Sequence, residues 1–231
     1  MTNRIEKKFA QLQFERKKAL VSFITAGDPN VQISQKILND LPNFGVDIIE
    51  IGIPFSDPMA DGPTIQRSSQ RAISSGSNLR KTFEVIQKFR SKNNDIPIVL
   101  MGYFNPIFQF GLKKFFIMCK SIGVDGVIVV DLPPEENELI NEYTVKYKVH
   151  NIRLITPTTD SKRLKKILRH TSGFLYYVSI AGITGTKKPL LTDVKKAVAK
   201  IKKNTNLPVL VGFGIDSFKQ VRSLNEIADG C

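Results

Sequence analysis

Residues 46–66 read VDIIEIGIPFSDPMADGPTIQ, in which a strand pattern passes into a loop rich in proline and glycine. Glu50 interrupts the apolar run of that strand, VDIIEIGIP. A carboxylate in such a strand is costly to desolvate unless it is paired, protonated or directed at a polar cavity. The position of Glu50 therefore requires a physical reason.

A second acidic residue, Asp61, follows in the loop, which the nearby prolines and glycine prevent from continuing as a strand. Two acids in unlike environments are the usual means of running acid and base chemistry at one pH. Glu50 could instead be a buried ion-pair partner, but the inward residues at the predicted strand ends include almost no lysine or arginine, which favours catalysis. Asp61 alone would be interpreted as a turn residue, so its predicted role depends on Glu50.

Short β-branched runs alternate with segments of helical period along the chain, which predicts parallel strands joined by helices. A helix at residues 5–17 precedes the first strand. The seven predicted strands are ALVSFITAG, VDIIEIGIP, PIVLMGYF, VDGVIVVDLP, NIRLITPT, FLYYVSIAG and PVLVGFGI.

The predicted fold is an α/β architecture, a TIM (β/α)8 barrel, in one domain spanning residues 1–231. A doubly wound sheet is disfavoured because no G-x-G-x-x-G follows the first strand. Polar residues, glycine and proline gather at the C-terminal strand ends, where barrels hold their active sites. Residues 227–231, IADGC, stand where an eighth strand would begin. We therefore expect the eighth strand and helix to be missing and the edges of strands one and seven to be unpaired.

The net charge of +13 would suit a nucleic-acid partner, but the lysines are dispersed over predicted helix faces, which argues against one. No apolar run is long enough to span a bilayer, and no targeting signal is recognisable at residues 1–18. The two cysteines and two histidines have no metal-ligand spacing. We expect a reducing compartment: the cytoplasm of a bacterium or, given the richness in Lys, Ile and Asn, a plastid stroma.

Other candidate residues lie at later strand ends. Gly212, Phe213 and Gly214 follow the seventh strand and residues 181–185 follow the sixth, where glycines could admit a phosphate or form simple turns. Asp131 is equally well interpreted as catalytic or as a loop cap. The hydroxyls of Tyr103 and Tyr176 could bond to substrate or to a carboxylate, although packing is the commoner role.

The long motif in residues 46–66, together with SFITAGDP, ITPTT, AGITG and PVLVGFGI in this order, closely resembles the α subunit of tryptophan synthase. The resemblance implies a TIM barrel that cleaves indole-3-glycerol phosphate to indole and glyceraldehyde 3-phosphate without a cofactor of its own. It implies that Glu50 is the acid/base at indole C3 and at the side-chain hydroxyl. Asp61 would accept or share the indole N–H proton.

The same resemblance implies that Phe23 and Leu100 are walls of the indole pocket and that Tyr176 lies beside the carboxylates. Gly185, Phe213 and Gly214 would belong to the phosphate site, Gly212 would bind substrate in the same turn, and Thr184 would lie in a loop that closes over the substrate. The implied partner is the pyridoxal-phosphate-dependent β subunit, which receives indole in an αββα complex. Two alternatives are a fragment that only activates the β subunit and another phosphate-binding barrel enzyme of tryptophan biosynthesis.

Overall fold

Parallel strands alternate with helices throughout the computed structural model, which describes residues 3–179, 190–212, 214–215 and 217–231. The strands are β1 (Val21–Thr25), β2 (Ile48–Gly52), β3 (Ile98–Gly102), β4 (Gly126–Val129), β5 (His150–Asn151), β6 (Arg153–Ile155), β7 (Leu175–Val178) and β8 (Val209–Gly212). The helices are α1 (Arg4–Phe14), α2 (Val31–Asp40), α3 (Pro63–Ser74), α4 (Leu79–Arg90), α5 (Phe104–Phe110), α6 (Leu112–Ile122), α7 (Glu138–Tyr147), α8 (Ser161–Arg169), α9 (Leu191–Lys202) and α10 (Phe218–Asn225).

The strands form two parallel sheets, β1 to β5 and β6 to β8, each in chain order. Strands β5 and β6 are parts of one extended segment that is interrupted at Ile152. The Ile152 N–H still donates to the Val127 carbonyl at 2.9 Å, as in a continuous ladder with β4. The predicted strand NIRLITPT is therefore one segment, which pairs with β4 at its start and with β7 at its end.

Residues 229–231 lie between β8 and β1 and correct the prediction of unpaired edges. Gly230 forms parallel bridges with Ala19 before β1 and with Leu210 in β8. Backbone hydrogen bonds of 2.8–3.1 Å run from Asp229 to Val209, from Val211 to Gly230, from Ala19 to Asp229, from Cys231 to Ala19 and from Val21 to Cys231. If β5 and β6 are counted as one strand, residues 229–231 form the start of the eighth barrel strand. This short segment joins β8 to β1 at the N-terminal end of the barrel.

Alternate residues of each strand face the barrel interior or the surrounding helices. The interior cluster includes Ile48, Val99, Phe174 and Leu210, and α1 closes its base by packing Ile5 and Leu12 against it. Strand residues of opposite parity join larger clusters under the helices. Burial on both faces explains why the strands are apolar almost throughout.

A buried ion-pair network fastens α1 beneath the barrel. Asp125, which precedes β4 and is 2% exposed, accepts hydrogen bonds from Arg4 at 3.0 Å and from Arg90 at 2.8 Å. The backbone N–H of Ile98 donates to the same carboxylate at 2.9 Å. Within the described residues, no helix is long and apolar enough to cross a membrane.

Candidate active site

Glu50 occupies the centre of β2, in register with Phe23 of β1 and Val99 of β3. Its side chain lies in the barrel interior and the residue is 2% exposed. Among the described residues, no hydrogen-bond partner reaches its Oε1 atom. Burial without a compensating cation raises the pKa of Glu50 to about 8. Glu50 is therefore mostly protonated at neutral pH and can act as a general acid.

Asp61 lies on the loop between β2 and α3. The loop turns over the strand end through a hydrogen bond of 3.0 Å from the Asp61 N–H to the Pro58 carbonyl. The Gln66 side chain in the first turns of α3 donates to the Asp61 carbonyl at 2.9 Å. Burial raises the pKa of the half-buried Asp61 carboxyl, whereas a hydrogen bond with Tyr103 lowers it. The two acids thus have unlike surroundings, as the sequence predicted.

A cavity of about 580 Å³ opens at the C-terminal strand ends, within the range of small-molecule sites. Asp61, Met101, Asp131 and Arg153 are among its lining residues. A second, narrow space of about 20 Å³, which shares Asp61 and Met101 with this cavity, is also lined by Phe23 and Gly52. Glu50 does not line either space, but it lies on the same face of β2 as Gly52, two residues earlier. The reactive acid is therefore one layer below the mouth.

Phe23 lines the narrow space, as expected for a pocket wall. Its ring lies so close to Gly52 that a Cβ atom there would be 2.5 Å from the Phe23 Cζ atom. Leu100, by contrast, packs in the cluster under the helices on the outer face of β3, so its predicted place in the pocket is wrong. Its neighbour Met101 lines the cavity instead. A shift of one residue along a strand exchanges its two faces.

Tyr176 of β7 lies near both Glu50 and Cys231 in the barrel interior. Burial, followed by the charges of these two residues, raises the pKa of its hydroxyl. Gly212 of β8 accommodates this tyrosine, because a Cβ atom at Gly212 would be 2.0 Å from the Tyr176 Oη atom. The structure thus gives Gly212 a packing role in addition to the predicted phosphate contact.

The remaining predicted substrate-binding residues follow the sixth and seventh predicted strands. Thr184, Gly185 and Phe213 lie outside the described residues. Gly214 is described and has a φ of 68°, a left-handed conformation that favours glycine. The predicted substrate contacts of this group stay predictions.

Asp131 and Arg153 have structural partners in the wall of the cavity. The Asp131 Oδ1 atom accepts the Phe104 N–H at 2.7 Å and so caps α5, in agreement with the loop-cap interpretation. Arg153 is 6% exposed and donates to the Leu132 carbonyl at 2.6 Å and to the Asn137 side chain. Arg153 is not among the residues predicted from the sequence, although a lone arginine within the apolar strand NIRLITPT was a usable signal.

The described residues contain no group of three or more His, Cys, Asp or Glu side chains that could hold a metal ion. The reactive groups of the cavity that the structure describes are carboxyl, hydroxyl and guanidinium groups. Their arrangement suits proton transfer to and from a bound substrate.

Parallel strands arranged as a barrel, with a buried acid that has no partner at Oε1 in the described part of the chain and a second acid at the mouth above it, define an α/β-barrel enzyme with acid/base chemistry. A family model described as "Tryptophan synthase alpha chain" matches residues 9–231. The chain therefore belongs to the tryptophan synthase alpha chain family. The resemblance found in the sequence motifs is confirmed.

Solved structures agree with this assignment. Tryptophan synthase subunit alpha from Legionella pneumophila is 39% identical, with a TM-score of 0.93, and the match covers 100% of this chain and 85% of that chain. A structure of Mycobacterium tuberculosis tryptophan synthase matches at 30% identity and a TM-score of 0.92, covering 100% of this chain and 88% of that chain. The predicted barrel is therefore the fold of the family.

Proposed function

We propose that this chain cleaves indole-3-glycerol phosphate to indole and glyceraldehyde 3-phosphate, the lyase reaction of its family. The observation that carries the proposal is the buried Glu50 carboxyl, which is without a hydrogen-bond partner at Oε1 among the described residues and has its pKa raised to about 8. A structural carboxylate at this depth would require a cation or several donors. A proton donor at neutral pH does not.

Glu50 would act twice in one turnover. The protonated acid gives its proton to C3 of the indole ring, which turns the ring into an electron acceptor. The resulting carboxylate then takes the proton of the hydroxyl on the carbon attached to C3 while the carbon–carbon bond breaks. The aldehyde leaves, C3 keeps the first proton, and Glu50 ends protonated as it began.

Asp61 would hold the proton of the indole nitrogen while C3 is protonated. Because the nitrogen gives up its proton, the intermediate is a neutral indolenine rather than a cation. When the carbon–carbon bond breaks, its electrons return to the ring and Asp61 returns the proton to nitrogen. The cavity that Asp61 lines also contains apolar surface from Met101, suitable for an indole ring.

We also propose that indole passes to a pyridoxal-phosphate-dependent β subunit in an αββα assembly. Membership of the tryptophan synthase alpha chain family supports this, as does the matching structure of the M. tuberculosis tryptophan synthase. The chemistry is favourable as well, because indole is apolar enough to escape into solution if it is released freely.

The test is a steady-state assay of indole release from indole-3-glycerol phosphate, with and without β subunit. Glu50→Gln should lower kcat by about 100- to 10,000-fold, as expected for a positioned acid/base, while substrate binding is kept. Glu84→Gln, a matched change on the exposed side of α4, is the control and should leave kcat unchanged. Near-normal turnover by Glu50→Gln would reject its role.

The same assay separates the other candidate functions. If the wild-type chain cleaves no substrate but stimulates the β subunit, it is an activator of that subunit and not a lyase. Turnover of a different sugar phosphate would indicate another barrel enzyme of tryptophan biosynthesis.

A further inference from the structure

Tyr103 stands between the end of β3 and the first residue of α5, and it is 3% exposed. Its ring lies 5.3 Å from that of Phe55, centroid to centroid, with the planes inclined by 33°. Phe55 belongs to the same β2–α3 loop that carries Asp61. The ring of Tyr103 therefore contacts the loop from below, and packing alone could explain this part of the residue.

The hydroxyl of Tyr103 makes contacts that packing does not require. The backbone N–H of Ala60 donates to the Tyr103 Oη atom at 2.9 Å. The hydroxyl and the Asp61 side chain also line the same narrow space, and hydrogen bonding from Tyr103 lowers the pKa of Asp61. Because the oxygen already accepts from Ala60, its single proton is available to Asp61. One hydroxyl thus holds the backbone before Asp61 and has its proton directed to the neighbouring carboxylate.

Tyr103 remains the donor in this pair over the working pH range. Burial, and then the charge of Asp61, raise the pKa of the Tyr103 hydroxyl above its ordinary value. A neutral phenol that donates to a carboxylate stabilises the ionised form of the acid. This agrees with the direction in which Tyr103 acts on the Asp61 pKa, which is downward.

The backbone of Tyr103 is itself held in place by β4. Asp131, at the end of that strand, accepts the N–H of Phe104 at 2.7 Å, and Phe104 is the residue next to Tyr103. The hydrogen bonds therefore run from the end of β4 through the start of α5 to the Asp61 loop. This connection places a loop residue on the rigid strands of the barrel.

We propose that Tyr103 is a positioning residue for Asp61, which it holds by its hydroxyl at the place where the substrate nitrogen is received. The loop carries Asp61, and the barrel fixes where its carboxylate points. The use of that carboxylate on a substrate rests on the function proposed above, whereas the contacts of Tyr103 with the loop do not.

Tyr103→Phe is the discriminating variant, because it keeps the ring against Phe55 and removes only the hydroxyl. A hydrogen bond to a charged group contributes enough to predict a fall of about 10- to 100-fold in kcat/KM. The acid limb of the pH profile should also move to higher pH, since Asp61 must be ionised to act and loses the donor that favours its ionised form. Tyr147→Phe on α7 is the control and should change neither quantity.

A double variant shows whether Tyr103 acts through Asp61. In an Asp61→Asn background, Tyr103→Phe should cost less than about threefold, because the group that it positions is already absent. An undiminished loss in that background would overturn the proposal, since the hydroxyl would then act on something else.

Carbon-13 NMR of the Asp61 carboxyl provides a readout that needs no turnover. In Tyr103→Phe the Asp61 titration should move to higher pH and the Ala60 amide proton should shift, and both changes support the proposal even if the wild-type chain releases no indole. A wild-type chain that releases no indole would reject the proposed function but not the role of Tyr103. An unchanged Asp61 titration in Tyr103→Phe would overturn the role of Tyr103 whatever the activity.

Discussion

Among the described residues, the barrel buries one carboxyl group at its N-terminal end and another in its interior, and the surroundings of the two are opposite. Asp125 at the N-terminal end and Glu50 within the barrel are both 2% exposed. Asp125 accepts hydrogen bonds from Arg4, Arg90 and the Ile98 N–H. Among the described residues, the Glu50 Oε1 atom has no partner. Equal burial therefore accompanies a satisfied charge in one case and an unsatisfied acid in the other.

The difference separates groups that hold the fold from groups that do chemistry. The Asp125 carboxylate holds α1, α4 and the start of β3 together, and the guanidinium groups of Arg4 and Arg90 compensate its charge. An unpartnered acid gains a shifted pKa from the same burial and stabilises nothing by itself. At pH 7, loss of the Asp125 carboxylate should therefore show mainly in stability, and loss of the Glu50 carboxyl mainly in activity.

The largest effect is expected from Asp125→Ala, which breaks the N-terminal end of this comparison. The substitution leaves Arg90 buried without its carboxylate and the Ile98 N–H without its acceptor. The free energy of unfolding should fall by about 3–5 kcal/mol, measured by urea denaturation at pH 7. Turnover per folded molecule should not change. Asp95→Ala, at an exposed position nearby, is the control. An equal loss of stability there would show that the buried partners of Asp125 are not the cause.

A smaller effect is expected from Gly212→Ala, which sharpens the comparison at the C-terminal end. The added Cβ atom would be 2.0 Å from the Tyr176 Oη atom, so the tyrosine must move. We expect a loss of about 1–3 kcal/mol in the free energy of unfolding, and a lower kcat because Tyr176 lies beside Glu50.

Tyr176→Leu tests the cause of that loss. Leucine lacks the ring and hydroxyl atoms that the new Cβ atom would meet. Gly212→Ala should therefore cost measurably less stability in the Tyr176→Leu background than in the wild type. An equal cost in both backgrounds would show that the contact with Tyr176 is not the reason.

The sequence was most informative where local pattern and buried chemistry agree. Seven strands could be predicted because buried parallel strands are short, apolar and bounded by turn residues. Glu50 could be predicted because a carboxylate in such a strand is improbable without a cause. The family could be recognised because residues 46–66 form a long motif, which the family model then confirmed.

Other features depend on contacts that local pattern does not encode. Leu100 and Met101 are adjacent and both apolar, so only the register of β3 decides which one faces the cavity. The pairing of residues 229–231 with two strands distant in sequence is likewise a property of barrel closure. The hydroxyl of Tyr103 finds Ala60 only because β3 and the loop after β2 meet at the same edge.

The most direct test is the difference in free energy of unfolding between Glu50→Gln and the wild type, measured from pH 5 to pH 9. Folding raises the Glu50 pKa from 4.5 to about 8, so between these values the folded wild type keeps a proton that the unfolded chain has lost. Wild-type stability should therefore fall as pH rises through this window, whereas glutamine has no proton to lose. Between pH 5 and pH 9, the free energy of unfolding of the variant should rise by on the order of 4 kcal/mol relative to that of the wild type. A difference that stays constant from pH 5 to pH 9 would contradict the claim that Glu50 is a buried, uncompensated acid.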